Sequence, residues 1–276
     1  MTSVGDVSFD VLTDVEGLPP TAAEAIYGTA LRFPARPGPH VVANFVSTID
    51  GVVSLGIMDG TDSSTVSGRN PGDRFMLGML RAAADVMMIG AGTLRASAGH
   101  QWTVASVAGT HLDALREYRG ELGRPPEPAP LVVVTGSGQL PSHVALTRPE
   151  TQPIVLTTRA GASNVATAFP KLRTLVVGDS RRIRGDQIVA ALGRELGAGL
   201  VVCEGGPTLM GSLIGAGAAH ELFLTVAPWI AGRDPSHPRL GMVNDFVASP
   251  RALRSAALTS ARRAGSHLFL RYRFSA

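Results

Sequence analysis

The clearest pattern along the chain is a series of short apolar runs that alternate with segments of helical period. Apolar runs bounded by glycine, proline or polar turns predict buried strands, and apolar positions three or four residues apart predict helices. The predicted strands are Val41–Thr48, Asp85–Ile89, Leu131–Thr135, Ile154–Thr157, Leu175–Gly178, Val201–Glu204, Glu221–Ala227 and His267–Phe274. The predicted helices are Thr21–Leu31, Asp73–Ala83, Leu112–Tyr118, Gly185–Leu196 and one that opens at Pro207.

Strands that alternate with helices indicate an α/β domain with a mixed, mostly parallel central sheet flanked by helices. The last strands follow one another without helices, so the sheet is expected to finish antiparallel. We assign residues 1–39 to an N-terminal extension and 40–276 to the domain, with a surface excursion between Ser97 and Pro130.

The amino-acid composition limits the kinds of binding and catalysis that the chain can carry out. The 276 residues carry a formal net charge of only +3, the arginines are scattered and aromatics make up 5%, so nucleic-acid binding is not expected. No long apolar run predicts a membrane span, and no basic leader is seen, so a cytoplasmic protein is expected. Lys171 is the only lysine, Cys203 the only cysteine, and the histidines share no metal-ligand spacing. A bound cofactor would therefore supply the reactive group.

The most informative segment runs from Val201 to Leu209. An apolar strand ends in Glu204, then Gly205 and Gly206 form a turn, and Pro207 opens a helix. Glycines allow close backbone approach, and a helix start offers free N–H groups to an anion. The segment predicts a site for a cofactor pyrophosphate, with Glu204 at the carboxyl end of its strand.

A second turn of the same kind follows the strand at Asp85. Gly90, Ala91, Gly92 and Thr93 contain G-x-G, but Arg95 replaces the third glycine of the dinucleotide-binding pattern. No βαβ unit with a terminal acid follows, which disfavours a Rossmann dehydrogenase. The turn is nevertheless a second place where the backbone can approach a phosphate.

Four segments in fixed order carry a family resemblance. They are residues 44–51 (Asn44 to Gly51), 72–85 (Gly72 to Asp85), 90–95 (Gly90 to Arg95) and 203–209 (Cys203 to Leu209). Together they resemble the reductase domain of bacterial riboflavin-biosynthesis proteins, pyrimidine reductases with a dihydrofolate-reductase-like fold. The resemblance covers roughly residues 40 to 275 and points to the stand-alone actinobacterial branch, which lacks the deaminase domain.

This resemblance implies NADPH-dependent hydride transfer to a ribosylamino-pyrimidine phosphate, whose ribose opens to a ribityl chain. It also implies a homodimer formed through the sheet edge, and the region of Phe223, Val226 and Trp229 would suit that contact. The residues implied on the cofactor side are Val46, Ser67, Gly90, Ala91, Gly92, Thr93, Ser97, Gly205, Gly206, Pro207, Thr208 and Leu209.

On the substrate side, the resemblance implies Asn44, Thr65 and Arg81, with the arginine reaching the phosphate or ribityl tail. Asp50 and Glu204 are the implied catalytic carboxylates, and Asp50 is the candidate for hydrogen bonding the N–H edge of the heterocycle.

The chain departs from the family after Thr93. Ser97 stands where an acid is usual, and after Ser97 no arginine follows until Arg116, so one arm of the expected phosphate clamp is missing. Two alternatives therefore stay open. One is a reductase acting on a pterin-like or unphosphorylated heterocycle, and the other is an NADP-binding protein without turnover.

Overall fold

The computed structural model describes residues 7–15, 20, 22–179 and 182–275. The predicted helix start at Thr21 lies outside these residues. The strands are β1 (Asp10–Asp14), β2 (His40–Thr48), β3 (Val86–Gly90), β4 (Leu131–Thr135), β5 (Ile154–Thr157), β6 (Arg173–Val176), β7 (Leu200–Cys203), β8 (Glu221–Ala227), β9 (Ala256–Ala264) and β10 (His267–Phe274). The helices are α1 (Ala22–Tyr27), α2 (Asp62–Val66), α3 (Pro71–Ala83), α4 (Ala91–Ala96), α5 (Leu112–Glu121), α6 (Arg159–Ala168), α7 (Gly185–Leu196) and α8 (Pro207–Gly215).

All ten strands join one sheet in the order β1-β9-β10-β8-β2-β7-β3-β4-β5-β6. The seven strands from β8 to β6 are parallel, whereas β10, β9 and β1 continue the sheet antiparallel. The predicted mixed sheet with an antiparallel C-terminal part is therefore confirmed.

Successive side chains of the central strands point to opposite faces of the sheet, and a hydrophobic core forms on each face. Met87 and Ile89 of β3 face the core under α1, α3 and α5, whereas Val86 and Met88 face the core under α7 and α8. Strands buried on both faces read as continuous apolar runs, which is why β3, β4 and β7 were recognisable from sequence. Cys203 is buried in β7.

The structure corrects two parts of the predicted organisation. The N-terminal segment joins the domain, because β1 pairs with β9 and the buried Tyr27 packs into the core under α3. The stretch from Ser97 to Pro130 is not simply a surface excursion, since Trp102, Leu115 and Tyr118 are buried in that same core.

The predicted dimer contact is also changed, because Phe223 is buried within the domain and is therefore not available to a second copy of the chain. Trp229 is exposed, and the homodimer remains a prediction.

A long connection between β8 and β9, residues 228–255, follows the rim of the sheet, and we call it the rim loop. Leu240 accepts a hydrogen bond from the N–H of Val53, and Asn244 donates to the carbonyl of Pro207 at the start of α8. The loop therefore contacts both the β2 side and the α8 side of the same sheet edge.

None of the described helices is long and apolar enough to cross a membrane.

Candidate active site

A cleft of about 1350 Å³ opens where the carboxyl ends of β2, β7, β3 and β4 meet. Small-ligand pockets rarely exceed about 1,000 Å³, so this cleft has room for a dinucleotide and a second ligand. The carboxyl edge of a parallel sheet is also where such folds bind ligands. The predicted site residues that line it are Asn44, Val46, Ser67, Arg81, Gly90, Ala91, Gly92, Thr93, Ser97, Glu204, Gly205, Gly206, Pro207, Thr208 and Leu209.

The two glycine turns lie side by side, because β3 and β7 are neighbours in the sheet. The N–H of Gly90 donates to the carbonyl of Gly205 at 2.7 Å. Gly205 has φ +87°, a conformation that side chains disfavour, and the Gly205–Gly206 peptide bond is cis. A Cβ on Gly206 would stand 3.0 Å from the Thr93 hydroxyl. Each turn therefore depends on the small size of the other.

The turns bring two helix N-termini to the middle of the cleft. Helix α4 begins directly after Gly90 and helix α8 directly after Gly206. The first N–H groups of a helix have no acceptor within it, and their dipoles favour a negative charge. In α8, the first described helical bond is made by the N–H of Met210, to Gly206. The cleft centre thus offers N–H donors to an anion.

Arg81 lies in the last turn of α3 and is buried against the end of β7. Its guanidinium donates to both carboxylate oxygens of Glu204, each at 2.7 Å, in a bidentate ion pair. It also donates to the carbonyls of Gln101 (3.2 Å) and Thr103 (3.0 Å) and to the Ser106 hydroxyl (2.9 Å). The fork is therefore filled by protein acceptors, which corrects the expectation that it is free to hold a substrate phosphate.

His100 completes the surroundings of Arg81, with Nε2 at 2.9 Å from the guanidinium. Burial lowers the pKa of His100 to about 3, and the Arg81 charge acts in the same direction. The imidazole is therefore neutral near pH 7, and Nε2 accepts from Arg81. His100 lines the cleft as a neutral group and does not supply a second cation for a phosphate.

Asp73 is a cleft residue that sequence reasoning missed. It lies in the first turn of α3 and faces strand β8 across the floor of the cleft. Desolvation raises the pKa of Asp73; hydrogen bonds to Thr225 and Ser67 oppose this rise, and the Glu204 charge adds to it. A cleft carboxyl that holds its proton more tightly than usual is a candidate acid. A single aspartate in a first helical turn otherwise reads as a helix-start signal, so the sequence carried no other hint.

The structure gives Asp50 a different role from the predicted one. Its carboxylate accepts from the Thr48 hydroxyl (2.6 Å) and from the N–H groups of Ala231 (3.0 Å) and Gly232 (2.8 Å). These bonds, led by the one from Thr48, hold the pKa of Asp50 well below its usual range. Asp50 is exposed and is not among the residues lining the cleft. It fastens the rim loop to the end of β2.

Thr65 is also displaced from its predicted position. It is exposed on α2 and does not line the cleft, whereas Ser63 and Ser64 of the same short helix do. The hydroxyls at this end of the cleft therefore come from the preceding serines.

The opposite end of the cleft lies over β4 and α7. Thr135, Gly136 and Ser137 line it from the end of β4, and Ile188 lines it from α7. The motifs recognised in the sequence did not include these residues, because they share no distinctive pattern. Among the described residues, no three His, Cys, Asp or Glu side chains come together as a metal site.

The fold and the cleft define a dihydrofolate-reductase-like α/β protein, as the sequence predicted. The chain matches the RibD C-terminal domain over residues 39–260. It therefore belongs to the RibD C-terminal domain family.

Solved structures share the fold at low sequence identity. A pyrimidine reductase-like protein from Corynebacterium diphtheriae is 20% identical, with a TM-score of 0.67 over 86% of this chain and 92% of that one. Acinetobacter baumannii RibD is 18% identical, with a TM-score of 0.60 over 87% of this chain and 59% of that one. The riboflavin biosynthesis reductase of Saccharomyces cerevisiae is 14% identical, with a TM-score of 0.57 over 88% and 93%. The search of curated proteins gave no match.

Proposed function

We propose that this protein is an NADPH-dependent reductase that transfers a hydride to a ribosylamino-pyrimidine phosphate. The observation that carries the proposal is the cleft at the carboxyl edge of the parallel strands, in which two adjoining helix N-termini meet an end lined by carboxyl groups. Membership of the RibD C-terminal domain family and the pyrimidine reductase-like relatives support the same activity.

The cleft fits a dinucleotide at its centre. A pyrophosphate between the starts of α4 and α8 would receive the free N–H groups of Thr208 and Leu209. The backbone of Gly92 borders open space, with no atom within 4 Å of a Cβ built there. The end over β4 and α7 would hold the adenosine half. Val46, at the end of β2, would border the nicotinamide.

The bound cofactor would supply the hydride, and the chain's own residues would orient the acceptor and provide a proton. Opening the ribose requires the hydride to reach the sugar carbon that carries the amino nitrogen, while the ring oxygen gains a proton. Asp73 is a protonatable group at the substrate end, and desolvation, which raises its pKa, favours the protonated form that can donate a proton. Glu204, held by Arg81, has a fixed orientation and would position the heterocycle.

The experiment is to follow NADPH absorbance with the purified protein and three acceptors. These are the ribosylamino-pyrimidine phosphate, its dephosphorylated form and dihydrofolate. We expect oxidation with the phosphorylated pyrimidine, and a product whose mass has increased by one hydride and one proton. Absence of oxidation with that compound at millimolar concentration would contradict the proposal.

One observation favours a second candidate, a reductase of an unphosphorylated heterocycle. Because Arg81 is filled by Glu204 and neighbouring acceptors, the cleft lacks the expected phosphate arm at that position. Faster turnover of the dephosphorylated pyrimidine or of dihydrofolate in the same assay would select this candidate.

Gly92→Val is expected to weaken NADPH binding by about tenfold or more, because the new side chain would occupy the space reserved for the pyrophosphate. The position tests the cofactor more cleanly than Gly206, where a side chain would also meet Thr93. Gly120→Val is the matched control, since Gly120 is a helical glycine that also borders open space, outside the cleft. Titration of NADPH by fluorescence measures the effect. Equal affinity in parent and Gly92→Val would place the pyrophosphate elsewhere.

A further inference from the structure

Six arginines line the cleft among the described residues, and they differ in what their side chains contact. They are Arg69, Arg74, Arg81, Arg95, Arg182 and Arg184. The guanidinium of Arg81 is paired with the carboxylate of Glu204, and Arg95 donates a hydrogen bond to the carbonyl of Gln139. Arg182 pairs with Asp245 at 3.7 Å, and Arg184 with Asp186 at 2.8 Å.

Arg69 and Arg74 are different. Within the described part of the chain, no hydrogen bond or ion pair engages either guanidinium, and both side chains are exposed to the cleft. Arg69 lies in the turn before α3, and Arg74 in the first turn of that helix, with the N-cap residue Asn70 between them. Arg69 and Arg74 therefore bring two unengaged cations to the part of the cleft where α3 begins, which also holds Asp73.

A role in folding does not explain this placement. A positive side chain near a helix N-terminus opposes the helix dipole, and two like charges in neighbouring turns repel each other. Asp73 precedes Arg74 in the chain, but desolvation raises the pKa of Asp73, so this carboxyl holds its proton more tightly than an ordinary aspartate. An anion that enters the cleft would offset the repulsion between the two cations.

The surroundings suit an oxyanion. Ser63 and Ser64 line the same end of the cleft and can donate from their hydroxyls. Guanidinium groups bind phosphate oxygens through parallel N–H donors. Arg74 and His100 line the same cleft, and the pKa of His100, which burial and the charge of Arg81 lower most, is lowered further by the charges of His143 and Arg74.

We propose that Arg69 and Arg74 bind the phosphate monoester of the substrate, in place of Arg81. This inference rests on the proposed function for the identity of the substrate. It adds that the phosphate is bound at the start of α3, where the two guanidinium groups are unengaged, and not by Arg81 at the end of that helix. It also accounts for the arginine that is missing after Thr93, because the second cation is Arg69.

The test is binding of ribose 5-phosphate to the protein saturated with NADP⁺, measured by calorimetry. Saturation blocks the pyrophosphate site, so the probe reports on the substrate end alone. We expect binding of ribose 5-phosphate but not of ribose. Arg69→Gln with Arg74→Gln should weaken it by about tenfold or more, the scale of one or two charged hydrogen bonds. Arg116→Gln removes the same kind of charge from the exposed face of α5 and should leave the affinity unchanged.

Thermal unfolding of the same variants provides a second readout. Because both cations oppose the helix dipole, the double variant should unfold at the parent temperature or slightly above it. A structural role would lower that temperature.

Undiminished affinity in the double variant, or no binding of ribose 5-phosphate to the parent at millimolar concentration, would overturn the inference. Because binding is measured without turnover, this outcome is separate from that of the NADPH oxidation assay. Arginine-dependent binding without any oxidation would keep the phosphate site and reject the proposed reaction.

Discussion

Asp73→Asn is expected to reduce turnover by about 100-fold or more while leaving NADPH affinity unchanged. The substitution keeps the size and hydrogen-bonding capacity of the side chain but removes the proton that it would donate, and a positioned acid typically contributes that much. Asp73 lines the cleft, and hydrogen bonds with Thr225 and Ser67 lower its pKa against the effect of desolvation; an asparagine side chain can accept the same hydrogen bonds. Steady-state kinetics and NADPH titration separate the two effects.

The dependence of turnover on pH provides a second test, because a purely structural role of Asp73 would leave this dependence unchanged. Desolvation raises the pKa of Asp73, so the protonated form persists to higher pH than in an ordinary aspartate. Turnover should fall as pH rises through that pKa, and this limb should disappear in the asparagine variant. Asp113→Asn, on the exposed face of α5, is the control. Parent-like turnover in Asp73→Asn would show that the proton comes from another group.

Arg81→Gln is expected to lower the free energy of unfolding by about 3–5 kcal/mol, the usual effect of leaving a buried charge without its partner. Glu204 receives both of its described side-chain bonds from Arg81, so the variant strands a carboxylate beside β7. Glu204→Gln should cost less, because Arg81 keeps acceptors at Gln101, Thr103 and Ser106. Urea unfolding measures the free energy of unfolding of the parent and of the two single variants.

The double variant separates the ion pair from the packing. Arg81→Gln with Glu204→Gln removes both charges, and its loss should be clearly smaller than the sum of the single losses. Additive losses would mean that the two residues stabilise the fold independently. In that case, the ion pair would not be what keeps Arg81 away from a substrate.

The sequence predicted the central strands closely, for a physical reason. Strands buried on both faces require apolar residues throughout, and Leu131–Thr135 and Ile154–Thr157 have the predicted bounds. The strands β1 and β9 were missed because they are largely exposed or arginine-rich and show no clean alternation. Helix α6 was missed because its alanines, glycine and short polar residues form only a weak apolar stripe.

The site was predictable where it depends on the backbone and not where it depends on tertiary partners. Both glycine turns line the cleft as expected, because glycine and proline patterns encode turn geometry directly. The partner of Arg81 is 123 residues away in the chain, and no local pattern marks it. The family resemblance implies a catalytic carboxylate at Asp50, but an aspartate before a glycine is equally typical of a turn. Only the amides of Ala231 and Gly232 reveal which role it has.

The rim loop has a consequence for engineering the protein. Its length is fixed at three points, by Asp50 beside β2, by Leu240 at Val53 and by Asn244 at the start of α8. An added residue between these points would disturb the cleft edge beside β2 and at the start of α8 together, where we propose that the nicotinamide and the pyrophosphate bind. In the proline-rich connection after α5, Pro125, Pro126 and Glu127 are exposed and do not line the cleft, and exposed loop positions of this kind tolerate insertions best. Tags, reporters or new chain ends therefore belong at the connection after α5.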